Sequence, residues 1–358
     1  MKRNIYSVIT GTGCYIPTEV VKNEDFLDSE FFDSAGNKFE QDNQYIIDKF
    51  IDITTIAERR HVTDAQVTSD IAFLAAEKAI ASAGIDREEL DYIIVAHNFG
   101  DVKAGTNRTD MVPSLAARVK YQLGINNPGT VAFDLIFGCP GWLQGVIMAD
   151  YLIRSGQVKK ALVIGADTLS RVSDPHDRDS MLYSDGAGAT ILEARETDEP
   201  TGIIDHAVRS DTKLHSKMLI MDKSYNLDHD QEYKYLKMNG RRLYQYAIDT
   251  VPGAIKECLD KSQTPIETVK KILIHQANGK MDDVIVEKLY QLCQAEMPAD
   301  VMPMTISWLG NSSVATIPTL LDLILRNQLA PHTIHPGDTI VFASVGAGMN
   351  INTMVYKV

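Results

Sequence analysis

Cys139, His275 and Asn311 are the residues of this chain whose types and settings suit acyl chemistry. Cys139 stands in Phe137-Gly138-Cys139-Pro140-Gly141. Glycines on both sides permit a sharp strand-to-helix turn, and Pro140 suits the first helical position, where its missing N–H costs nothing. A thiol there faces unpaired helix N–H groups and the positive end of the helix dipole, which favour the reactive thiolate. Free cysteine is more often a small core hydrophobe, and Cys14, Cys258 and Cys293 read that way. His275 lies in Ile274-His275-Gln276-Ala277-Asn278, where an apolar run turns polar. A histidine at that point can donate to a developing oxyanion or accept a proton. Asn311, in Gly310-Asn311-Ser312-Ser313, is a good helix cap, and its amide is also a neutral donor suited to an enolate. The tail Ser344-Val345-Gly346-Ala347-Gly348-Met349-Asn350 reads by itself as a tight turn with bare N–H groups.

Elements must carry these side chains to one place. Strand-like and helical runs alternate, the pattern of an α/β fold. In the first half a run at 92–96 is followed by one at 130–137 that leads into Cys139. An apolar helix at 142–154 is stopped by Gly156, and a buried run follows at 161–166. The second half replays the order with runs at 271–275, a weaker one at 301–304, a helix at 314–326 and a run at 339–344. Ile94 matches Ile274, and Val163 matches Val341, at nearly equal separations. The expectation is a duplication with its seam at 196–201, giving halves 1–198 and 199–358. Cys139 and Asn311 then occupy equivalent strand-to-helix turns. Packing about a pseudo-twofold axis brings both, with His275, to the carboxyl ends of the strands, the usual ligand crevice of α/β sheets. The helix behind Cys139, apolar at Leu143, Val146, Ile147, Leu152 and Ile153, is expected at the centre.

The bulk composition removes other function classes. A net charge of −13 argues against a nucleic-acid groove, which needs concentrated basic surface. The N-terminus has the basic pair Lys2-Arg3 but no signal-peptide apolar core, and no apolar run reaches the roughly 18 residues that span a bilayer, so no membrane partner is expected. The four cysteines are widely spaced with no CxxC pair, which points to a reduced cytoplasmic compartment without disulfides or zinc. His332 and His335 lack zinc-site spacing. Asp185-Gly186-Ala187-Gly188-Ala189 lacks the following helix of a dinucleotide fingerprint, and Gly11-Thr12-Gly13 reads as a turn.

Taken together the chain resembles the β-ketoacyl-acyl-carrier-protein synthase III family of the thiolase-like superfamily, over nearly its whole length. The resemblance is carried by Phe137-Gly138-Cys139-Pro140-Gly141-Trp142, Tyr183-Ser184-Asp185-Gly186-Ala187-Gly188-Ala189, Met238-Asn239-Gly240, His275-Gln276-Ala277-Asn278, Gly310-Asn311-Ser312-Ser313 and Val345-Gly346-Ala347-Gly348. It implies a five-layered αβαβα fold, a homodimer and a ping-pong reaction with no metal or resident cofactor. In that reaction CoA and phosphopantetheine thioesters are the substrates. Cys139 takes an acyl group from acyl-CoA, with the Cys139 N–H and the loop bearing Ala347 and Gly348 as oxyanion hole. His275 and Asn311 stabilise the enolate formed when malonyl-acyl carrier protein loses carbon dioxide, as in fatty acid biosynthesis.

Three departures shape the substrate expectation. Asp52-Ile53-Thr54-Thr55-Ile56-Ala57-Glu58-Arg59 keeps part of a family motif, but the preceding region 30–50 is long and lacks the Trp and Arg that grip CoA, which gives weight to a carrier-protein or unusual acyl donor. Val112 replaces an aromatic that floors the acyl pocket from across the dimer, which predicts longer or branched chains. Lys280 replaces an Arg after Asn278 and can still meet a phosphate as a point charge, with Arg241 and Arg242 as further rim candidates. A degradative thiolase needs a second cysteine in 344–350, which has none, and a hydroxymethylglutaryl-CoA synthase needs a general-acid glutamate in the first half, for which His97-Asn98-Phe99-Gly100 offers no clear candidate. A secondary-metabolite ketosynthase of quinolone, resorcinol or long-chain ketone type fits the same residues. A catalytically silent ketosynthase partner is disfavoured by the intact set.

Overall fold

The computed structural model describes residues 4–358; the basic pair Lys2-Arg3 lies outside the described residues. The first sheet has five strands in the spatial order Asn4–Tyr15, Asp185–Thr197, Lys160–Thr168, Tyr92–His97 and Val131–Ile136. The last three run parallel, and Asp185–Thr197 runs antiparallel to both its neighbours. The strands Tyr92–His97 and Lys160–Thr168 are buried almost throughout, which is why they read as continuous apolar runs instead of alternating ones.

The second sheet repeats this order with four strands: Gly202–Ser210, Asn350–Lys357, Thr339–Gly346 and Val269–Ile274. Among the described residues its fifth place is empty of strand. The run expected at 301–304 is held to the sheet edge by one backbone bond, Ile272 N–H to Val301 O at 2.8 Å. Pro303 has no N–H for a ladder, and the Gln276 side chain takes the Pro303 carbonyl at 2.9 Å, so a side chain replaces the ladder there. The register also moves one landmark: Ile94 lies beside Val163, and Ile272, not Ile274, lies beside Val341.

Three apolar clusters alternate with the two sheets and make five layers. Thr68–Ala83 and Leu115–Gln122 cover the outer face of the first sheet, and Gly240–Lys261 with Gly279–Cys293 cover the outer face of the second. Between the sheets lie the helices Gly141–Arg154 and Thr316–Leu325. The helix behind Cys139 is therefore the expected central one, with Leu143, Val146, Ile147 and Ile153 buried and Trp142 edge-on to Phe342 at 5.7 Å between ring centres. No helix of the described residues is long and apolar enough to cross a membrane.

Candidate active site

Cys139 sits where the strand Val131–Ile136 gives way to the helix Gly141–Arg154. The turn needs Gly138, whose φ is +80°, and Gly141 N–H closes it on the Gly138 carbonyl at 2.8 Å. Pro140 stands at the helix cap, one place earlier than expected. The C-terminal loop lies directly on this turn: a Cβ on Gly346 would come within 2.7 Å of Cys139 N, so only glycine allows the approach. Cys139 keeps partial exposure, yet desolvation pushes its thiol up to about 11. Burial therefore works against the thiolate that the helix terminus favours. Surrounding protein disfavours the charge more than the Ser313 donor, 3.4 Å from sulfur, favours it.

His275 follows the strand Val269–Ile274, anchored by its N–H to the Ala343 carbonyl at 2.8 Å. It is buried, its Nδ1 has no partner among the described residues, and desolvation lowers its pKa to about 4. The ring is therefore neutral near pH 7, able to accept one proton or donate one. The next residue holds the loop: Gln276 Oε1 accepts from Thr305 N and Ile306 N at 2.8 and 3.0 Å. Asn311 was expected after a strand but follows the short helix Ile306–Leu309, and the 3-10 turn Ser313–Ala315 precedes Thr316–Leu325. Its backbone bridges to Tyr183, with Asn311 N–H to Leu182 O and Ser184 N–H to Asn311 O, both 2.9 Å. Asn311 Oδ1 accepts from Ser313 N at 2.9 Å, which leaves its amide nitrogen free to donate.

Cys139, His275, Asn311 and Ala347 line one narrow cavity of about 50 Å³, whose other walls include Phe99, Leu169, Tyr183, Leu219 and Leu236. Gly348 is set back from it, and its carbonyl accepts from Thr212. Met238, Leu243, Ala277 and Met281 are shared with a vestibule of about 640 Å³. Asn278 and Arg241 line that vestibule; Asn278 also caps the helix Gly279–Cys293 by accepting from Met281 N. Arg242 and Lys280 are exposed and line neither cavity. Val112 is 86% exposed and far from being a wall of its own chain's cavity.

Sequence reading missed several wall residues. Phe39, Tyr45, Lys49 and Phe50 reach the vestibule from the helix Asn43–Thr54 and the segment before it, and Arg178 lies over the Phe39 ring at 5.1 Å. The long segment at 30–50 therefore supplies aromatic rings where no Trp was found. Arg59 is structural: its buried guanidinium donates to Met181 O, Val21 O and Asn23 Oδ1. Tyr183, Met238 and Ser313 carried a one-dimensional signal, standing inside motifs of the family resemblance; Asn98, Phe99 and Arg178 carried none.

Comparison with known proteins agrees with this geometry. Residues 133–212 match the family model for 3-Oxoacyl-[acyl-carrier-protein (ACP)] synthase III, and residues 259–358 match that for its C-terminal part. A β-ketoacyl-[acyl-carrier-protein] synthase III of Streptococcus pneumoniae (strain Hungary19A-6) is 32% identical over 358 residues, 99% of each chain. Crystal structures of the synthases III from Thermus thermophilus and Aquifex aeolicus VF5 superpose with TM-scores of 0.81 and 0.79. They are 27% and 28% identical, each cover 98% of this chain, and are themselves covered at 99% and 100%. The priming β-ketosynthase of the R1128 polyketide pathway, 23% identical with a TM-score of 0.81, shares the fold. The chain belongs to the 3-oxoacyl-[acyl-carrier-protein] synthase III family.

Proposed function

We propose that the protein is an acyltransferase that condenses an acyl thioester with malonyl-acyl carrier protein, as in fatty acid biosynthesis. The observation that carries this is the meeting of Cys139, His275 and Asn311 in one cavity that shares walls with a vestibule large enough for a pantetheine arm. In the first half-reaction Sγ attacks the donor carbonyl, the neutral His275 ring takes the thiol proton, and the CoA or carrier thiolate leaves with it. The N–H groups of Cys139 and Ala347 face the carbonyl oxygen; Gly348, set back, is the weaker member of the proposed oxyanion hole. In the second, the malonyl carboxylate departs as carbon dioxide while His275 and Asn311 donate to the enolate oxygen. The carbanion then attacks the acyl-Cys139 carbonyl and Sγ leaves, giving the 3-oxoacyl product. No step runs through a resident cofactor.

The exposed Arg241, Arg242 and Lys280 beside the vestibule, with Asn278 in its wall, support a phosphopantetheine phosphate and an acidic carrier at that rim. Phe39 with Arg178 supports a stacked adenine there, so acyl-CoA remains a donor. The outward-facing Val112 supports a homodimer in which each copy closes the other's acyl pocket. Halves at 1–198 and 199–358 are supported by the shared strand order, since Asp185–Thr197 ends the first sheet and Gly202–Ser210 opens the second. The reading includes a cytoplasmic location, supported by four unpaired cysteines.

The test is intact mass after incubation with acyl-CoA and acyl-carrier donors of graded length. An adduct that vanishes in Cys139→Ala is expected; no adduct from any donor sinks the reading.

A further inference from the structure

The Cys139 sulfur rests on a hydrogen-bonded chain that the condensing steps above do not use. Ser313 Oγ donates to Sγ at 3.4 Å. Asn98 Nδ2 donates to Ser313 Oγ at 2.9 Å and to Asp167 Oδ2 at 2.5 Å, while Asn98 N–H donates to Asp167 Oδ1 at 2.8 Å. Asp167 and Ser313 are 1% and 3% exposed. Three segments distant in sequence therefore converge on the thiol: the end of Tyr92–His97, the strand Lys160–Thr168 and the turn before Thr316–Leu325.

The direction of the chain follows from donor chemistry. An ionised carboxylate only accepts, so Asn98 must turn its NH₂ toward Asp167. The same nitrogen meets Ser313, so the hydroxyl accepts from Asn98 and donates to sulfur at 3.4 Å, while the Asp167 carboxylate also draws on that hydroxyl. Ser313 holds φ at +52°, a conformation that is strained for a non-glycine residue and persists where surroundings over-determine it. Its N–H bond to Asn311 Oδ1 is one such restraint.

We propose that Asp167 and Asn98 are positioning residues that lock the Ser313 hydroxyl as a donor to the Cys139 sulfur and so raise its thiolate fraction. Burial is what pushes the thiol up; the Ser313 bond is the strongest opposing influence and outweighs the upward pull of the Asp167 charge. Burial also pushes Asp167 up to about 6. When it takes a proton, the Asn98 amide can flip, present Oδ1 to both neighbours and draw the Ser313 proton away from sulfur. The other titratable groups facing this chain are His97, toward Asp167, and Tyr183 and His275, toward the Cys139 cavity. The consequence for turnover rests on Cys139 being the nucleophile; the chain itself does not, because alkylation reads the thiol directly.

The experiment follows Cys139 alkylation by iodoacetamide against pH on the full chain, by peptide mass. Ser313→Ala is expected to move the midpoint upward, with about a tenfold slower rate near pH 7.5 for each unit moved. Asp167→Asn is expected to move it upward too, although it removes a negative charge. A charge acting only through space moves it downward. A downward or null shift in a folded Asp167→Asn protein overturns the proposal. Should that variant not fold, Asn98→Ala carries the test: a shift matching Ser313→Ala supports the chain, and an unchanged midpoint overturns it. Asn98→Ala combined with Ser313→Ala is expected to go no further than Ser313→Ala alone, and an additive shift overturns it.

Discussion

His97 and His275 occupy matching strand ends. Ile94 beside Val163 corresponds to Ile272 beside Val341, and each histidine stands three residues beyond its isoleucine. Their surroundings differ. His97 Nε2 lies 3.1 Å from Asp134 Oδ2, off the line of an ideal hydrogen bond, and Nδ1 accepts from Gly100 N at 3.0 Å. His275 has no carboxylate beside it, and its Nδ1 is unpaired among the described residues. The difference traces to one strand. Asp134 belongs to Val131–Ile136, the edge strand of the first sheet, and among the described residues the second sheet has no strand in that place. The same ring is pinned by an edge strand in one half and turned toward a cavity in the other.

Substituting the two histidines separates these roles. His275→Ala is expected to lower carbon dioxide release from malonyl-acyl carrier protein by about 10²–10⁴-fold, while Cys139 still forms its acyl adduct, more slowly, with solvent taking the thiol proton. Normal decarboxylation in that variant breaks the assignment. His97→Ala is expected to act on stability instead, lowering the unfolding free energy by about 1–3 kcal/mol because Gly100 N–H loses its acceptor and Asp134 one of its three partners, with a far smaller effect on decarboxylation per folded molecule. Urea unfolding beside the carbon dioxide assay measures both.

Acid sharpens the comparison further. The folded pKa of His275 lies near 4, below its unfolded value of 6.5, so folding excludes a proton there. Nothing is lost above pH 6.5, where the ring is neutral in both states. As pH falls below 6.5 the unfolded chain takes up the proton, and stability drops by about 2 kcal/mol at pH 5. His275→Gln is expected to flatten that part of the pH–stability curve, and an unaltered curve removes burial of this ring as its cause. Asp134 works in the same direction but in a lower window: its carboxyl is held low despite desolvation, chiefly by His97 and the Ala116 and Leu115 N–H groups, so its contribution is full above its unfolded value of 3.8. Its contribution therefore persists to lower pH and fades only as pH passes through that lowered value.

The smallest effects belong to the rim. Lys280→Ala is expected to change stability by no more than about 0.5 kcal/mol, since the side chain is exposed, and to raise KM for the carrier substrate without lowering kcat. An unchanged KM removes Lys280 from the proposed docking rim.

Much was determined by the sequence alone. Apolar runs long enough to be buried on both faces specified the parallel strands, the glycines around Cys139 specified its turn, and the ordered cysteine, histidine and asparagine motifs specified the family. These signals are local, or are strings that survive without knowing what packs on them. Tertiary structure decided the rest. Whether the run at 301–304 pairs as a strand depended on Pro303 and on the reach of Gln276. Whether the thiol is readily ionised depended on the protein gathered around it, whose desolvation pushes the thiol up. Asp167, Asn98 and Ser313 are 69 to 215 positions apart along the chain and meet only because two sheets pack around the central helices. Desolvation and side-chain convergence are properties of the assembled layers, and no single segment encodes them.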